Sequence, residues 1–339
     1  MLNDSAKINA IMLNAIRCAK SKMGMSGPNP MVCAIATDAH WQIIEIATTS
    51  PNGRPHAEQN LIEALKKKNI KPLGKLKLFV TLEPCVHYGQ TPPCTKAIIE
   101  SGFFDKIFVS SFDKDERMMG RGIAAIKSAN ILIENGIMQE CTTNLLYKEY
   151  FFARQNQRPF VTLKIASSLD GKIATASGES KWISHEETRL YTNFSRSFYD
   201  GILIGSGTYL KDEPKLDCRV NGLAAFSPTK FVLSSSLQEV KNGFTLIKGD
   251  ITTALRQIYL KGVNSLLIEG GSAVWTSFIK SNFVDRVIII KSPLFIGGKG
   301  LSSIGDVNID SLIVARKFNL LSTHQIKDDI LLEYKKLKE

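Results

Sequence analysis

Apolar runs of strand length alternate with apolar residues at helical spacing along most of this 339-residue chain. That alternation admits few folds, all of them helices layered on a sheet, and the fold class read from it is α/β. Ile8, Ile11, Met12, Ala15, Ile16 and Ala19 form one helical face over residues 8–22, and "SGPNP" then breaks the chain. Strand-like runs follow at 31–36 and 43–47, a helix at 56–68 and a strand at 77–83. A helix at 93–102 opens on Pro93 and closes on Gly102, and a strand runs over 106–111. A helix near 121–129 and a short strand at 131–134 end the first set. A second set starts with "FVTLKIASSLDG", a strand running into a turn, and continues with a helix at about 185–198. "GILIGSGT" reads as a strand and glycine turn, "KFVLSS", "SLLIEGG" and "VDRVIIIKSP" as strands, and "EGG" is followed by a helix. Between the sets, "FFARQNQRP" has no clear period and ends in proline. The expected organisation is a domain over 1–150, a linker over 151–159 and a domain over 160–339, each large enough to bury its own core.

The formal net charge is +11, but the lysines are spread along the chain without a block of five or six like charges. This reads as a solvated basic surface, or as attraction to phosphate-bearing ligands. Six scattered cysteines in a chain of this length are not a disulfide scaffold. The first twenty residues read as an amphipathic helix rather than a signal peptide, and no apolar run reaches the length of a membrane span. The expectation is a cytoplasmic protein with no membrane partner, whose thiols are available as metal ligands.

"RPHAEQN" and "TLEPCVHYGQTPPC" concentrate the chemistry of the first half. A catalytic zinc takes three protein ligands and keeps one position for water. His56, Cys85 and Cys94 supply three donors of suitable softness, and Glu58 is a carboxylate free to move protons. Zinc deaminases use this set in the pattern H-x-E…P-C-x-x-C. Here the second cysteine follows nine positions after the first. His56 beside Pro55 and Cys94 after Pro93 are each placed at a helix start, where a thiolate is stabilised. His87 is a weaker candidate ligand, while Cys18 and Cys33 fall in apolar periodic segments and read as packing residues.

"PHAE" together with "TLEPCVHYGQTPPC" resembles the bifunctional riboflavin-biosynthesis deaminase/reductase family, in which the second ligand segment has this longer spacing. Upstream, "GPNPMVCAIA" resembles a family segment, with Cys33 where glycine is usual. The resemblance implies a cytidine-deaminase-like three-layer domain followed by a dihydrofolate-reductase-like domain. It implies zinc and NADPH as cofactors and a small phosphorylated pyrimidine, 2,5-diamino-6-ribosylamino-4(3H)-pyrimidinone 5′-phosphate, as substrate. Asn29 is a candidate contact to the base, or a turn residue before Pro30.

In the second half, Lys164, Ser168, Leu169, Asp170 and Gly171, then Ser177, Gly178, Glu179, Ser180, Trp182 and Ile183, match the start of the family's reductase domain. By that resemblance Ala166, Trp182, Thr208, Asp212, Ser235, Gly271 and Ser272 line the NADPH side. Ser180, Arg196, Leu216, Arg219 and Glu269 contact the substrate, the two arginines gripping its phosphate. Asp212 is the candidate proton-handling group at hydride transfer. "FVLSSS" lacks the aspartate often found there in the family, and the segment 220–229 is short. Two alternatives stand beside this reading: a zinc deaminase acting on a base in RNA, favoured by the basic charge, and a non-catalytic zinc-binding scaffold. The main reading takes no nucleic-acid partner and leaves a homo-oligomer open.

Overall fold

Leu76, Leu78, Val80 and Leu82 alternate along one strand, so their side chains share one face of a sheet. Phe79 points the opposite way, into a separate cluster on the other face. A sheet apolar on both faces must be covered twice, and helices cover it here. The computed structural model describes residues 3–68, 74–88, 91–115 and 118–337. Its first compact unit is Met1–Gln155 and its second Asn156–Glu339.

The first unit contains α1 (Asp4–Ser21), β1 (Cys33–Thr37), β2 (Ile43–Thr48), α2 (Ala57–Lys67), β3 (Leu76–Leu82) and α3 (Cys94–Ser101). β4 (Phe104–Ser111), α4 (Arg121–Ser128), β5 (Leu132–Asn135), α5 (Gln139–Thr142) and α6 (Lys148–Asn156) follow. The strand order is β2-β1-β3-β4-β5, with β1 antiparallel to both neighbours and β3, β4 and β5 parallel. α1 lays Ile8, Met12, Ala15 and Ile16 against Ile35, Phe79 and Phe108 on one face. Leu61 and Leu65 of α2 and Ile98 of α3 pack against Leu78 and Val80 on the other. Phe79 and Phe108 stack at 4.5 Å between ring centroids, and burying each ring contributes about 1.5–3 kcal/mol.

The boundary between the two units falls within the segment 151–159 expected as a linker, but most of that segment is helical. Residues through Asn156 belong to α6, preceded by a π-turn at Thr143–Tyr147. Tyr147 and Phe151 are buried in the core of the first unit, and the Tyr147 hydroxyl hydrogen-bonds to the carbonyl oxygen of Met31. Tertiary packing therefore orders a segment whose sequence has no amphipathic period.

The second unit runs β6 (Phe160–Ser168), β7 (Lys172–Ala174), α7 (Glu186–Ser195), β8 (Gly201–Gly205), α8 (Ser206–Asp212), β9 (Thr229–Leu233) and β10 (Phe244–Ile247). It continues with α9 (Ile251–Leu260), β11 (Ser265–Ile268), α10 (Ser272–Lys280), β12 (Arg286–Ser292), β13 (Leu301–Ser302), β14 (Phe318–Ile326) and β15 (Asp329–Lys336). Eight strands form one sheet in the order β10-β9-β8-β11-β6-β12-β15-β14. It is parallel from β10 to β12, and β15 and β14 are added antiparallel. "GSGT", expected as a turn, begins α8 instead. β14 went unread because its exposure pattern has no alternation. No helix among the described residues is long and apolar enough to cross a membrane.

Candidate active sites

In the first unit the helix starts carry the chemistry. His56 is the residue before α2, in extended conformation, and Cys94 is the first residue of α3 after Pro93. Cys85 lies just past β3. One donor atom from each of His56, Cys85 and Cys94 falls within 4.8 Å of the others. His56 Nδ1 is 3.6 Å from Cys85 Sγ and 3.3 Å from Cys94 Sγ. Tetrahedral zinc, with bonds of about 2.3 Å to sulfur and about 2.05 Å to nitrogen, separates such atoms by roughly 3.5 Å. The two nitrogen–sulfur separations thus match those of a zinc site. His87 stays outside it, its Nδ1 lying 3.4 Å from the Met118 sulfur.

The electrostatics suit a metal. The Cys85 thiol is held down to about 4, first by the Cys94 thiol and then by His56, while the backbone N–H of Cys94 donates to its sulfur at 3.2 Å. Glu58, in the first turn of α2, is buried at 4% exposure. Burial pushes its carboxyl up to about 7, against the pull of His56, and the carboxyl reaches the Cys94 thiol. Asn29 packs against Gly53, where any Cβ would meet the Asn29 amide at 2.1 Å. That contact places Asn29 beside the turn leading to His56.

Glu83, which sequence reasoning passed over, ties the end of β3, just before Cys85, to the segment after β4. Its buried carboxylate accepts from the N–H groups of Asp113, Gly120 and Gly122. The "LE" before "PC" was the only available signal.

In the second unit a cleft of about 910 Å³ lies over the ends of the parallel strands. That size and position suit a dinucleotide and a small substrate. Ala166, Trp182, Thr208, Asp212, Gly271 and Ser272 all line it, as do Ser180, Arg196, Arg219 and Glu269. Gly270 has φ +132°, and a Cβ there would crowd the Thr208 hydroxyl and Val274, so the "EGG" turn needs glycine to bring α10's start to the cleft. Two expected residues are not on its wall. Leu216 is buried with Ile202, Ile204 and Val232, because an apolar side chain gains more from that cluster than from the cleft. Ser235 is exposed beyond the end of β9.

Arg196 and Glu269 bond to each other, Nε to Oε1 at 3.0 Å and a terminal nitrogen to Oε2 at 3.1 Å. Lys164 Nζ lies 4.0 Å from the same carboxylate. Burial alone pushes Glu269 up, but Arg196 and Lys164 outweigh it and hold the carboxyl down to about 2. Burial also pulls the Lys164 ammonium below its ordinary range. Asp212 is exposed at the end of α8. Lys164, Arg189 and Lys211 line the cleft as well. Lys164 was visible in the motif, but no sequence signal gave it a role. Asp170 of the "SLDG" turn is a loop clasp, accepting from Gly297 N–H at 2.7 Å and Ser168 Oγ at 2.6 Å.

Fold and sites define a two-domain enzyme, a cytidine-deaminase-like zinc hydrolase followed by a reductase. Residues 5–111 match the cytidine and deoxycytidylate deaminase zinc-binding region, and residues 159–332 match the RibD C-terminal domain. Riboflavin biosynthesis protein RibD of Aquifex aeolicus is 31% identical over 95% of this chain and 96% of its own length. RibD of Actinobacillus pleuropneumoniae is 33% identical over 95% and 94%. A Thermotoga maritima diaminohydroxyphosphoribosylaminopyrimidine deaminase/5-amino-6-(5-phosphoribosylamino)uracil reductase superposes with a TM-score of 0.87 at 30% identity, over 99% of this chain and 100% of that one. The chain belongs to the RibD family of riboflavin biosynthesis proteins, with a zinc-dependent deaminase unit and an NADPH-dependent reductase unit.

Proposed function

We propose that this enzyme deaminates 2,5-diamino-6-ribosylamino-4(3H)-pyrimidinone 5′-phosphate and then reduces the ribosyl group of the product to a ribityl chain. The observation that carries the reading is the convergence of His56, Cys85 and Cys94 beside buried Glu58, in one chain with a dinucleotide-sized cleft. His56, Cys85 and Cys94 hold the zinc, which when bound supplies a water acidified to near-neutral pKa. Glu58 would take one proton of the attacking water and pass it to the ring nitrogen, then carry the proton of the added hydroxyl to the amino group, which leaves as ammonia as the carbonyl forms, a relay suited to a carboxyl held near 7. Asn29 orients the base.

In the second unit NADPH supplies the hydride delivered to C1′ of the ring-opened ribose, and the residues bind, orient and protonate. Thr208, Gly271 and Ser272 face the cofactor, with backbone N–H groups at the start of α10 directed to its phosphates. Arg219, exposed at the cleft, grips the ribose phosphate, while Arg196 acts mainly by fixing Glu269 as an anion toward the sugar. Asp212, exposed at the cleft, is the candidate group for that step, and Lys164 lines the same cleft.

An RNA-base deaminase would leave the second unit without a role, and a zinc scaffold would not need a buried Glu58. The proposal includes a cytoplasmic location, where reduced Cys85 and Cys94 are available as metal ligands. The test is anaerobic incubation with the diaminopyrimidinone phosphate, with and without NADPH, following products by mass. Ammonia release without NADPH and a two-hydrogen mass gain only with it are expected. Failure to consume this substrate by an enzyme loaded with zinc would overturn the assignment.

A further inference from the structure

Trp182 is 68% exposed, yet its ring lines the cleft of the second unit. An indole so exposed on a connecting segment is ordinarily free to change rotamer. Here it has a partner. The guanidinium carbon of Arg189 sits 4.4 Å from the ring centroid. The same guanidinium donates to the carbonyl oxygen of Ser184, two residues beyond the indole. Arg189 is carried by the first turn of α7, and that turn is itself anchored, since the His185 N–H donates to Asp329 Oδ2 at 2.8 Å. Asp329 is 1% exposed at the start of β15. A continuous set of contacts therefore runs from the sheet, through the start of α7 and Arg189, to the indole at the cleft. On the same segment, Lys211 Nζ donates to the Gly178 carbonyl at 3.2 Å, tying it to α8.

We propose that Arg189 is a positioning residue for the cofactor, holding the Trp182 ring as a fixed wall on the NADPH side of the cleft. This rests on the reading of Trp182 as a cofactor contact. Two features favour positioning over direct phosphate binding. One face of the guanidinium is covered by the indole, and one N–H is used by Ser184. A planar cation both stacks on an aromatic face and donates in its own plane, which the point charge of a lysine does not reproduce. A wall already in place also spares the ligand the ordering of a mobile side chain on binding. Removing Arg189 therefore acts on NADPH affinity more than on turnover or on substrate affinity.

The test measures NADPH binding to the full-length, zinc-loaded protein by calorimetry, with steady-state reductase kinetics, for Arg189→Ala, Arg189→Lys, Trp182→Ala and the Arg189→Ala/Trp182→Ala pair. Arg189→Ala is expected to raise Kd and KM for NADPH about three- to tenfold, an effect larger than that on kcat or on substrate KM. Arg189→Lys should recover part of that loss, and it carries the test alone, at about a two- to fourfold rise, if the alanine variant does not fold. In the Trp182→Ala background, Arg189→Ala should change Kd by less than about twofold, because the coupled partner is already gone. Unchanged NADPH affinity in both arginine variants, with loss in Trp182→Ala, would overturn the proposal and leave the Trp182 reading standing. Unchanged affinity in all of them would overturn both. A rise confined to substrate KM would overturn it too, making Arg189 a substrate contact.

Discussion

Glu58 in the first unit and Glu269 in the second are both buried glutamates, 4% and 8% exposed, yet their carboxyls are held at opposite ends of the range. Burial pushes Glu58 up to about 7, and neighbouring His56 does not offset it. Burial pushes Glu269 the same way, but Arg196 and Lys164 hold it down to about 2. Desolvation is common to both; the adjacent cations decide the outcome. A carboxyl near 7 can give and take a proton at working pH, whereas one near 2 is a fixed anion. In the proposed reading one unit has a proton shuttle and the other a permanent charge, built from the same residue type.

The comparison is broken most severely by removing the shuttle. Glu58→Gln is expected to lower deamination by about 10²- to 10⁴-fold while zinc stays bound. Ammonia release and metal content measure the two effects, and near wild-type ammonia release would end the assigned role. The same variant should still oxidise NADPH when given the deaminated intermediate, whereas Asp212→Asn should release ammonia but consume NADPH poorly. Loss of both activities in a folded Glu58→Gln protein would contradict two separate sites. Cys85→Ser and Cys94→Ser should each lose zinc, read by elemental analysis.

Next in size is the fixed anion. Glu269→Gln removes the carboxylate that Arg196 and Lys164 share and should destabilise the second unit by about 3–5 kcal/mol at pH 7. The sign with pH follows from a carboxyl depressed in the folded state. Its stabilisation is present above about 4.5, the ordinary glutamate value, and is lost as pH falls through the folded value of about 2. Urea titrations between pH 7 and 2 should therefore show an acid-sensitive contribution in the wild type that Glu269→Gln lacks; parallel curves would disprove the pairing as the cause.

The smallest effect sharpens the comparison from the other side. Asp113, buried in the first unit, is pushed up to about 6, chiefly by desolvation, and accepts a hydrogen bond from the Asp115 N–H at 2.9 Å. A raised carboxyl favours folding below its ordinary value of about 3.8, and that contribution is lost as pH rises through about 6. Asp113→Asn keeps an acceptor for the Asp115 N–H and should stabilise the protein by about 1–2 kcal/mol at pH 8, with no gain at pH 3.5. A destabilised variant at pH 8 would show that the charge is wanted there.

Much of the first site was legible because its signals are local. Pro93 and Gly102 bound α3 through their own backbone preferences, and Gly102 does adopt a positive φ of 65°. His56 and Glu58 can face one site only at a helix start, and Pro55 marked that start. In contrast, residues 151–156 show no apolar period and look like a linker by sequence, whereas their order comes from Phe151, with neighbouring Tyr147, entering a core made by other strands. Leu216 was assigned to the substrate by resemblance, but its side chain is covered by β8 and β9. The sequence does not reveal that Arg196 is paired, because a lone cation in a motif does not show its counter-ion, and Glu269 lies 73 positions away.

The order of residues by itself determined the donor types, the helix starts that present them and the two successive α/β sets. Those follow from backbone preference and side-chain chemistry, which act over a few residues. Only the tertiary structure decided which buried carboxyl is pushed up and which is held down, and that Arg196 is paired with Glu269. Desolvation and Coulomb attraction depend on distance in space and on what excludes water, and neither is written in the spacing along the chain.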